Sequence, residues 1–221
     1  MRHDFDKDYW ERHWQEAQSR PSTVRRTSCA PSTPPGRSLS EPTPNPYVAR
    51  ETNDLTPGTA LDAGCGEGAE AVWLASTGWQ VTAADIAPSA LARAAERAAA
   101  AGVSERVRLA EADLSVWSPD RQFDLVMTHY AHPQMPQLEF YDRIAEWVAP
   151  GGTLLIVGHL HTPGSTGHGH QPPTEASATA ATITARLADT KWEVVTAEEC
   201  RRTVAGQRTL YDVVVRAARR R

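Results

Sequence analysis

The amino-acid sequence predicts an α/β protein built on a doubly wound, seven-stranded sheet, mostly parallel and ending in an antiparallel hairpin. Three observations carry that prediction. From Thr59 onward, short β-like runs alternate with helix-length segments, the pattern of a parallel sheet wrapped on both faces. A turn with three glycines, Gly64-Cys65-Gly66-Glu67-Gly68, follows the first of those runs directly. The last two runs are separated only by CRRTVAGQR, too short for a helical crossover, so they pair as a hairpin.

Taken in order, the elements divide the chain into three parts. Residues 1–18 carry Tyr9, Trp10, His13, Trp14 and Ala17 at spacings of three and four, which gives one face of a short helix that needs something to cover. Residues 19–46 are dense in Pro, Ser, Thr and Arg with almost no aliphatic side chains. Such a stretch does not offset the entropy of its own ordering and reads as a flexible linker. Residues 47–218 form the main domain, with a histidine-rich loop at 159–173.

Within that domain TALDAG leads to the helical GAEAVWLASTG, and WQVTAADI to PSALARAAERAAAAG. RVRLAEADL and FDLVMTHY follow, then the helical MPQLEFYDRIAEWVAPGG before TLLIVGH, and TEASATAATITARLAD before WEVVTAEE and TLYDVVVRA. Pro88 suits a first helical turn, Gly102 a helix stop, and Pro150-Gly151-Gly152 a break ahead of the next strand. The terminal RAARRR is expected to be a solvated, frayed tail.

Composition narrows the function classes. With 40% hydrophobic and 23% charged residues, the chain has the make-up of a globular protein. A net charge of -4 argues against an obligate nucleic-acid partner, because phosphate recognition needs a basic face. No run approaches the roughly twenty apolar residues of a membrane span, and MRHDFDKDYW has no signal-peptide core, so a cytoplasmic protein without a membrane partner is expected. Cys29, Cys65 and Cys200 are odd in number and far apart, which suggests neither a disulfide framework nor a thiolate zinc site. Oligomeric state is not legible.

The glycine turn sits where doubly wound sheets bind ligands, at the carboxyl end of the first strand. Asp85 closes the second β-like run 21 positions after Gly64, where such folds place a carboxylate that accepts from ribose hydroxyls. The pattern departs from the dinucleotide fingerprint, since the third glycine is Gly68 and position 69 is alanine, and no Gly-Lys-Ser/Thr loop is present. An adenosine-type ligand fits best.

With these blocks assembled, the chain resembles the class I S-adenosylmethionine-dependent methyltransferases, in particular the small tellurite-resistance and thiopurine-methyltransferase-like branch. The resemblance rests on LDAGCGEGAEAVWLASTGWQVTAADIAPSALARA, VRLAEADL, FDLVMTHYAHP and WVAPGGTLLIVGH, in that order across Thr59 to His159. It implies a Rossmann-like fold, S-adenosyl-L-methionine as cofactor and a small-molecule methyl acceptor, a thiol or other soft nucleophile. Asp62, Gly64, Gly66 and Gly68 are implied to shape the methionine and ribose pocket, Asp85 to bind both ribose hydroxyls, and Ile86 to lie against adenine. Asp113 is implied to accept from the adenine amino group with Leu114 beside the ring, while Tyr9 and Trp14 cover the cofactor from the N-terminal helix. Ala63 and Ala84 stand where bulkier aliphatics are common in the family.

Two other functions compete. One is a non-catalytic sensor of S-adenosylmethionine or a metal. The other is a nucleic-acid methyltransferase, which typically carries an Asn/Asp-Pro-Pro-Tyr/Phe motif after the fourth strand. This chain has Thr128-His129-Tyr130-Ala131 there, and its Asn45-Pro46-Tyr47 falls before the first strand.

Methyl transfer from a sulfonium needs alignment and desolvation more than an enzyme nucleophile, and a base helps only when the acceptor must lose a proton. His129 and His132 are the candidate catalytic bases, with packing against the cofactor the competing role for His129. His159, His161, His168 and His170, at i and i+2 twice over, are candidate ligands for a transition metal. No Cys, Asp or Glu nearby completes that set, and a lid over the acceptor pocket or a solvated loop are the alternatives.

Overall fold

Alternation along each strand sorts the core onto the two faces of one sheet. The computed structural model of the protein describes residues 5–18, 44–160, 177–204 and 208–221. Among these residues seven strands form the sheet: β1 (Thr59–Ala63), β2 (Gln80–Asp85), β3 (Val107–Glu111), β4 (Phe123–His129), β5 (Val148–His159), β6 (Trp192–Val204) and β7 (Arg208–Arg219). Their order across the sheet is β3-β2-β1-β4-β5-β7-β6. The pairings from β3 through β5 are parallel, whereas β7 runs antiparallel to both β5 and β6. The expected hairpin is present, and β7 inserts between β5 and β6. The first strand pairs β2 on one side and β4 on the other, so the strand order reverses at β1, the switch point where such sheets bind ligands.

Among the described residues six α-helices accompany the strands: α1 (Lys7–Gln18), α2 (Pro46–Thr52), α3 (Ala69–Ser76), α4 (Pro88–Ala100), α5 (Gln137–Ala145) and α6 (Ala180–Arg186). One core packs Leu61, Val126, Leu154, Ile156, Val213 and Val215 against Phe140, Tyr141 and Ile144 of α5 and Ile183 of α6. The other packs Ala60, Leu125, Met127, Leu155, Val157 and Val214 against Tyr47 and Val48 of α2, Leu74 of α3 and Leu91 of α4. Leu125 and Val126, or Leu154 and Leu155, thus point to opposite layers, as a period of two requires. Helix α4 follows its sequence closely: Pro88 opens it, Ala90, Leu91, Ala94 and Ala98 make its buried stripe, and Gly102 follows its end at φ +69°.

Several expectations need correction. Pro150-Gly151-Gly152 does not precede β5 but lies inside it, at an irregularity where the partner of Phe123 is Val148 and that of Leu125 is Thr153. A side chain at Gly152 would lie 2.9–3.0 Å from three main-chain oxygens, so the sheet passes through a bulge that only glycine fits. Helix α6 is shorter than its helical pattern, and Thr179 starts it with a reciprocal capping box to Thr182. Strand β6 continues through Cys200 to Val204 instead of stopping before the cysteine. The terminal arginines are not frayed: β7 reaches Arg219, and the Arg220 amide donates to the Lys191 carbonyl at 2.7 Å. The stretch read as linker is outside the described residues from 19 to 43, but its last residues belong to the fold. Asn45 caps α2, its Oδ1 accepting from the Tyr47 amide at 3.0 Å, with Pro46 in the first turn.

Candidate active site

The glycine turn is tied down by the sheet beneath it. The amides of Gly64 and Cys65 both donate to the Ala84 carbonyl, at 2.8 and 3.0 Å. Asp85 then clamps the turn to the next helix: its Oδ2 accepts from the Gly66 amide at 2.8 Å and its Oδ1 from the Ala87 amide at 3.0 Å. Burial raises the Asp85 carboxyl above the usual carboxylate range, with the amides of Ala87, Gly66 and Ile86 acting in opposition. Gly64, at φ +82°, lies so close to Ala131 that an added Cβ would be 2.3 Å from the alanine methyl. Gly68 serves packing: it is the left-handed N-cap of α3 and lets that helix approach Ala94 of α4.

A cleft of about 430 Å³ opens above this turn, within the size range of small-molecule sites. Its floor is Gly64, Gly66, Asp85, Ile86, Asp113 and Leu114, which brings six of the expected cofactor residues together. Asp113 sits in a tight turn, its Oδ1 accepting from the amide and hydroxyl of Ser115 at 2.9 and 2.6 Å. Three expected residues do not line the cleft. Gly68 is behind it, and Asp62 is buried under it with one carboxylate oxygen unpartnered. Burial, and next the charges of Glu70 and Asp85, push the Asp62 carboxyl well above its usual range. Tyr9 is not among the lining residues and packs edge-on against Phe5 and Trp10, which are.

The roof is Phe5 with Trp10, His13 and Trp14 of α1. Polar contacts seat the helix, among them the Lys7–Glu111 ion pair. Trp10 Nε1 donates to the His132 carbonyl at 3.2 Å, Glu11 accepts from the Ser89 amide at 3.2 Å, and Arg93 donates to the Trp14 carbonyl at 2.9 Å. The Glu11 contact supplies a cap that α4 lacks, since Ala87 at its N-cap has no side-chain acceptor. Arg93 also pairs with Glu67, which Arg97 holds at 3.1 Å. Trp14 ends up over the glycine turn, where an added Cβ on Gly66 would come within 2.8 Å of its ring.

The far wall is built from β4, β5 and the loop after β4. Tyr130 has φ +55°, an uncommon conformation for a bulky residue and typical of functional sites. Its ring stacks on His159 at 4.4 Å between centroids, and His159 stacks on His132 at 5.6 Å. Asn45 Nδ2 donates to the Tyr130 hydroxyl at 3.3 Å while the Asn45 amide donates to Glu70 at 3.1 Å. The two candidate bases both line the cleft. Both ring nitrogens of His129 are buried without a partner, and burial lowers its pKa to about 4, Glu70 opposing in part. His132 is 7% exposed, and burial lowers its pKa too, partly offset by Gln137.

Among the described residues, no three His, Cys, Asp or Glu side chains gather as a metal site requires. Of the four histidines considered for a metal, His159 is in the aromatic stack, and His161, His168 and His170 are outside the described residues. Sequence reasoning missed Phe5, Glu70, Asn45 and Gln137 because each reaches the site through tertiary contact. A helix-starting Asn-Pro before an aromatic was the available signal for Asn45. For the others no local pattern exists.

Residues 60–152 match the methyltransferase-domain family. Ribosomal RNA small subunit methyltransferase C of Alcanivorax borkumensis is 33% identical over 114 residues, covering 48% of this chain and 34% of the relative. Probable thiol methyltransferase 2 of Arabidopsis thaliana is 28% identical over 120 residues, covering 52% and 53%. The chain therefore spans about a third to a half of the length of these two relatives. TehB from Haemophilus influenzae superposes with a TM-score of 0.66 at 17% identity, over 80% of this chain and 62% of that one. Magnesium protoporphyrin IX methyltransferase from Synechocystis, with bound S-adenosylhomocysteine, gives 0.61 at 20% identity over 78% and 80%. At such identities the structures establish the fold. No helix among the described residues is long and apolar enough to cross a membrane. Residues 60–152 are thus similar in sequence to the methyltransferase-domain family, and the chain shares the overall fold of the two superposed structures.

Proposed function

We propose that the protein transfers a methyl group from S-adenosyl-L-methionine to a small-molecule acceptor, a thiol or another soft, proton-bearing nucleophile. The observation that carries this reading is one covered cleft with two unlike sides. Carboxylates at Asp85 and Asp113, backbone of a glycine turn and apolar Ile86 and Leu114 line one side, while imidazole and aromatic rings line the other. The first set suits an adenosyl ligand: Asp85 takes the ribose hydroxyls, Asp113 the adenine amino group, and Ile86 and Leu114 sandwich the flat base. When bound, the sulfonium supplies an activated methyl carbon. Tyr130, His132 and His159 hold the acceptor, and the α1 roof excludes water, so the acceptor's lone pair meets that carbon desolvated and in line.

A soft acceptor is supported by a wall of stacked tyrosine and imidazole rings and by the thiol methyltransferase among the relatives. The ribosomal RNA relative favours a second reading, a nucleic-acid acceptor. The helix roofing the cleft and a net charge of -4 weigh against a polynucleotide. The proposal includes a cytoplasmic protein and leaves a transition metal out, because His159 is engaged in stacking.

Calorimetry with S-adenosylhomocysteine tests the cofactor half. Wild type binds and Asp85→Ala loses at least tenfold in affinity; no binding by wild type, or equal binding by the variant, rejects it. A panel of one thiol, one phenol, one amine and one RNA hairpin with labelled cofactor tests the acceptor. Binding without turnover on any of them favours the sensor reading.

A further inference from the structure

The two candidate bases differ in a way that the hydrogen bonds decide. Gln137, 5% exposed at the start of α5, makes two contacts of 3.0 Å, one to the Ala131 main-chain oxygen and one to His132 Nδ1. A main-chain oxygen only accepts, so the amide nitrogen of Gln137 must face it. That leaves the Gln137 oxygen, which also only accepts, toward His132. Nδ1 must therefore carry the hydrogen. In a neutral imidazole Nε2 then holds a lone pair, and this Nε2 is buried with no protein partner in a ring that lines the cleft. Three further contacts fix the ring and its loop: stacking on His159, a tilted contact with Phe5 at 5.7 Å, and the Trp10 indole on the His132 carbonyl. His129 has no such partner to set its tautomer.

We infer that Gln137 is a positioning residue that locks His132 in its Nδ1–H tautomer, so that Nε2 is the proton acceptor for an acceptor group entering the cleft. The tautomer stands on hydrogen-bond polarity alone, and its catalytic consequence rests on the methyl-transfer reading. In that consequence the X–H proton of the acceptor passes to His132 Nε2 and the X lone pair forms the bond to the methyl carbon. The carbon–sulfur bond breaks with its electron pair going to sulfur, leaving a neutral thioether, and the imidazolium later returns its proton to water. Atoms and charge balance: one sulfonium and one X–H give one thioether, one X–CH₃ and one proton.

The test is nitrogen NMR of the full-length chain labelled at histidine, near neutral pH, with His132→Gln identifying the His132 pair by its disappearance. Wild type is expected to show a pyrrole-type Nδ1 and a pyridine-type Nε2. Gln137→Glu, whose carboxylate still accepts from Nδ1–H, keeps that pattern, whereas Gln137→Leu loses it. Wild type with hydrogen on Nε2, or Gln137→Leu with an unchanged pattern, overturns the inference. Should Gln137→Leu not fold, the wild-type and Gln137→Glu spectra still decide. With an active acceptor in hand, Gln137→Leu lowers kcat on the order of 100-fold at near-constant KM, and Gln137→Glu recovers most of it. An equal fall in both variants, or a change confined to KM, contradicts the positioning role. Absent cofactor binding in wild type overturns the proposed function while leaving the tautomer result intact.

Discussion

Acidification gives a direct measure of how His129 is held. Its ring nitrogens are buried without a partner, and burial brings the pKa from 6.5 to about 4, with Glu70 opposing. An unfolded chain binds the proton near the ordinary value, the folded one only near 4. Between those values the unfolded state carries more protons, so stability rises with pH across that window. The contribution is complete above pH 6.5 and shrinks as pH falls toward 4. At 1.36 kcal/mol per pH unit, the loss reaches about 3 kcal/mol at the bottom of the window. Asp62 works in the opposite sense, because its raised carboxyl takes up a proton more readily in the folded state. The two slopes mix in a raw curve, and the variant His129→Leu separates them. Urea unfolding at pH 7.5, 6.5, 5.5 and 4.5 should show the wild type losing ground to the variant by roughly 1 kcal/mol per unit below 6.5. Parallel curves would mean that His129 finds a partner or water, and the argument from burial would fail.

Other consequences follow from close approaches. Gly64→Ala combines φ +82° with a 2.3 Å approach to Ala131 and should cost about 3 kcal/mol in urea denaturation, from backbone and overpacking together. Gly102→Ala shares a positive φ of +69° but meets nothing within 4 Å, so it should cost only about 1 kcal/mol; equal losses would refute the packing argument. Gly66→Ala collides with the Trp14 ring, so in a double-mutant cycle with Trp14→Ala the paired variant should recover about 1 kcal/mol relative to the sum of the single changes. Additivity there would show that the roof does not touch the turn. Thr179→Ala removes the reciprocal cap of α6 and should lower stability by about 1 kcal/mol, read from the urea midpoint.

The parts of this molecule that were legible beforehand are those coded by neighbours in sequence. Strand alternation, Pro88 and Gly102 around α4, and the glycine turn followed by Asp85 each act within one or two turns of chain, and each is found where the pattern predicted it. The misreadings have a common cause. Pro150-Gly151-Gly152 has the composition of a break, but paired strands on both sides carry it through as a bulge. The terminal arginines look solvated until Arg219 pairs with Trp192 and its side chain reaches the Val148 carbonyl. Tyr9 and Trp14 are five positions apart on one helix, yet a short helix turns only part of its face to the cleft, so Trp14 lines it and Tyr9 does not.

Helix α1 also joins the two sides of the cleft mechanically. Its Trp10 holds the carbonyl of His132, its Trp14 covers Gly66, and Glu11 caps the helix that begins just after Asp85. A displacement of α1 therefore cannot loosen the glycine-turn side alone, because the same rigid segment fixes the loop that carries the imidazole. In a 12-residue helix, about 18 Å long at 1.5 Å per residue, two contacts one turn apart move together. Variants that weaken only one contact should thus shift cofactor affinity and acceptor KM in parallel, whereas changes at Asp113 or Ile86, on the floor beneath, should shift cofactor affinity alone. Independent movement of the two quantities in α1 variants would mean that the roof is two separable contacts and that the compartments are not coupled through it.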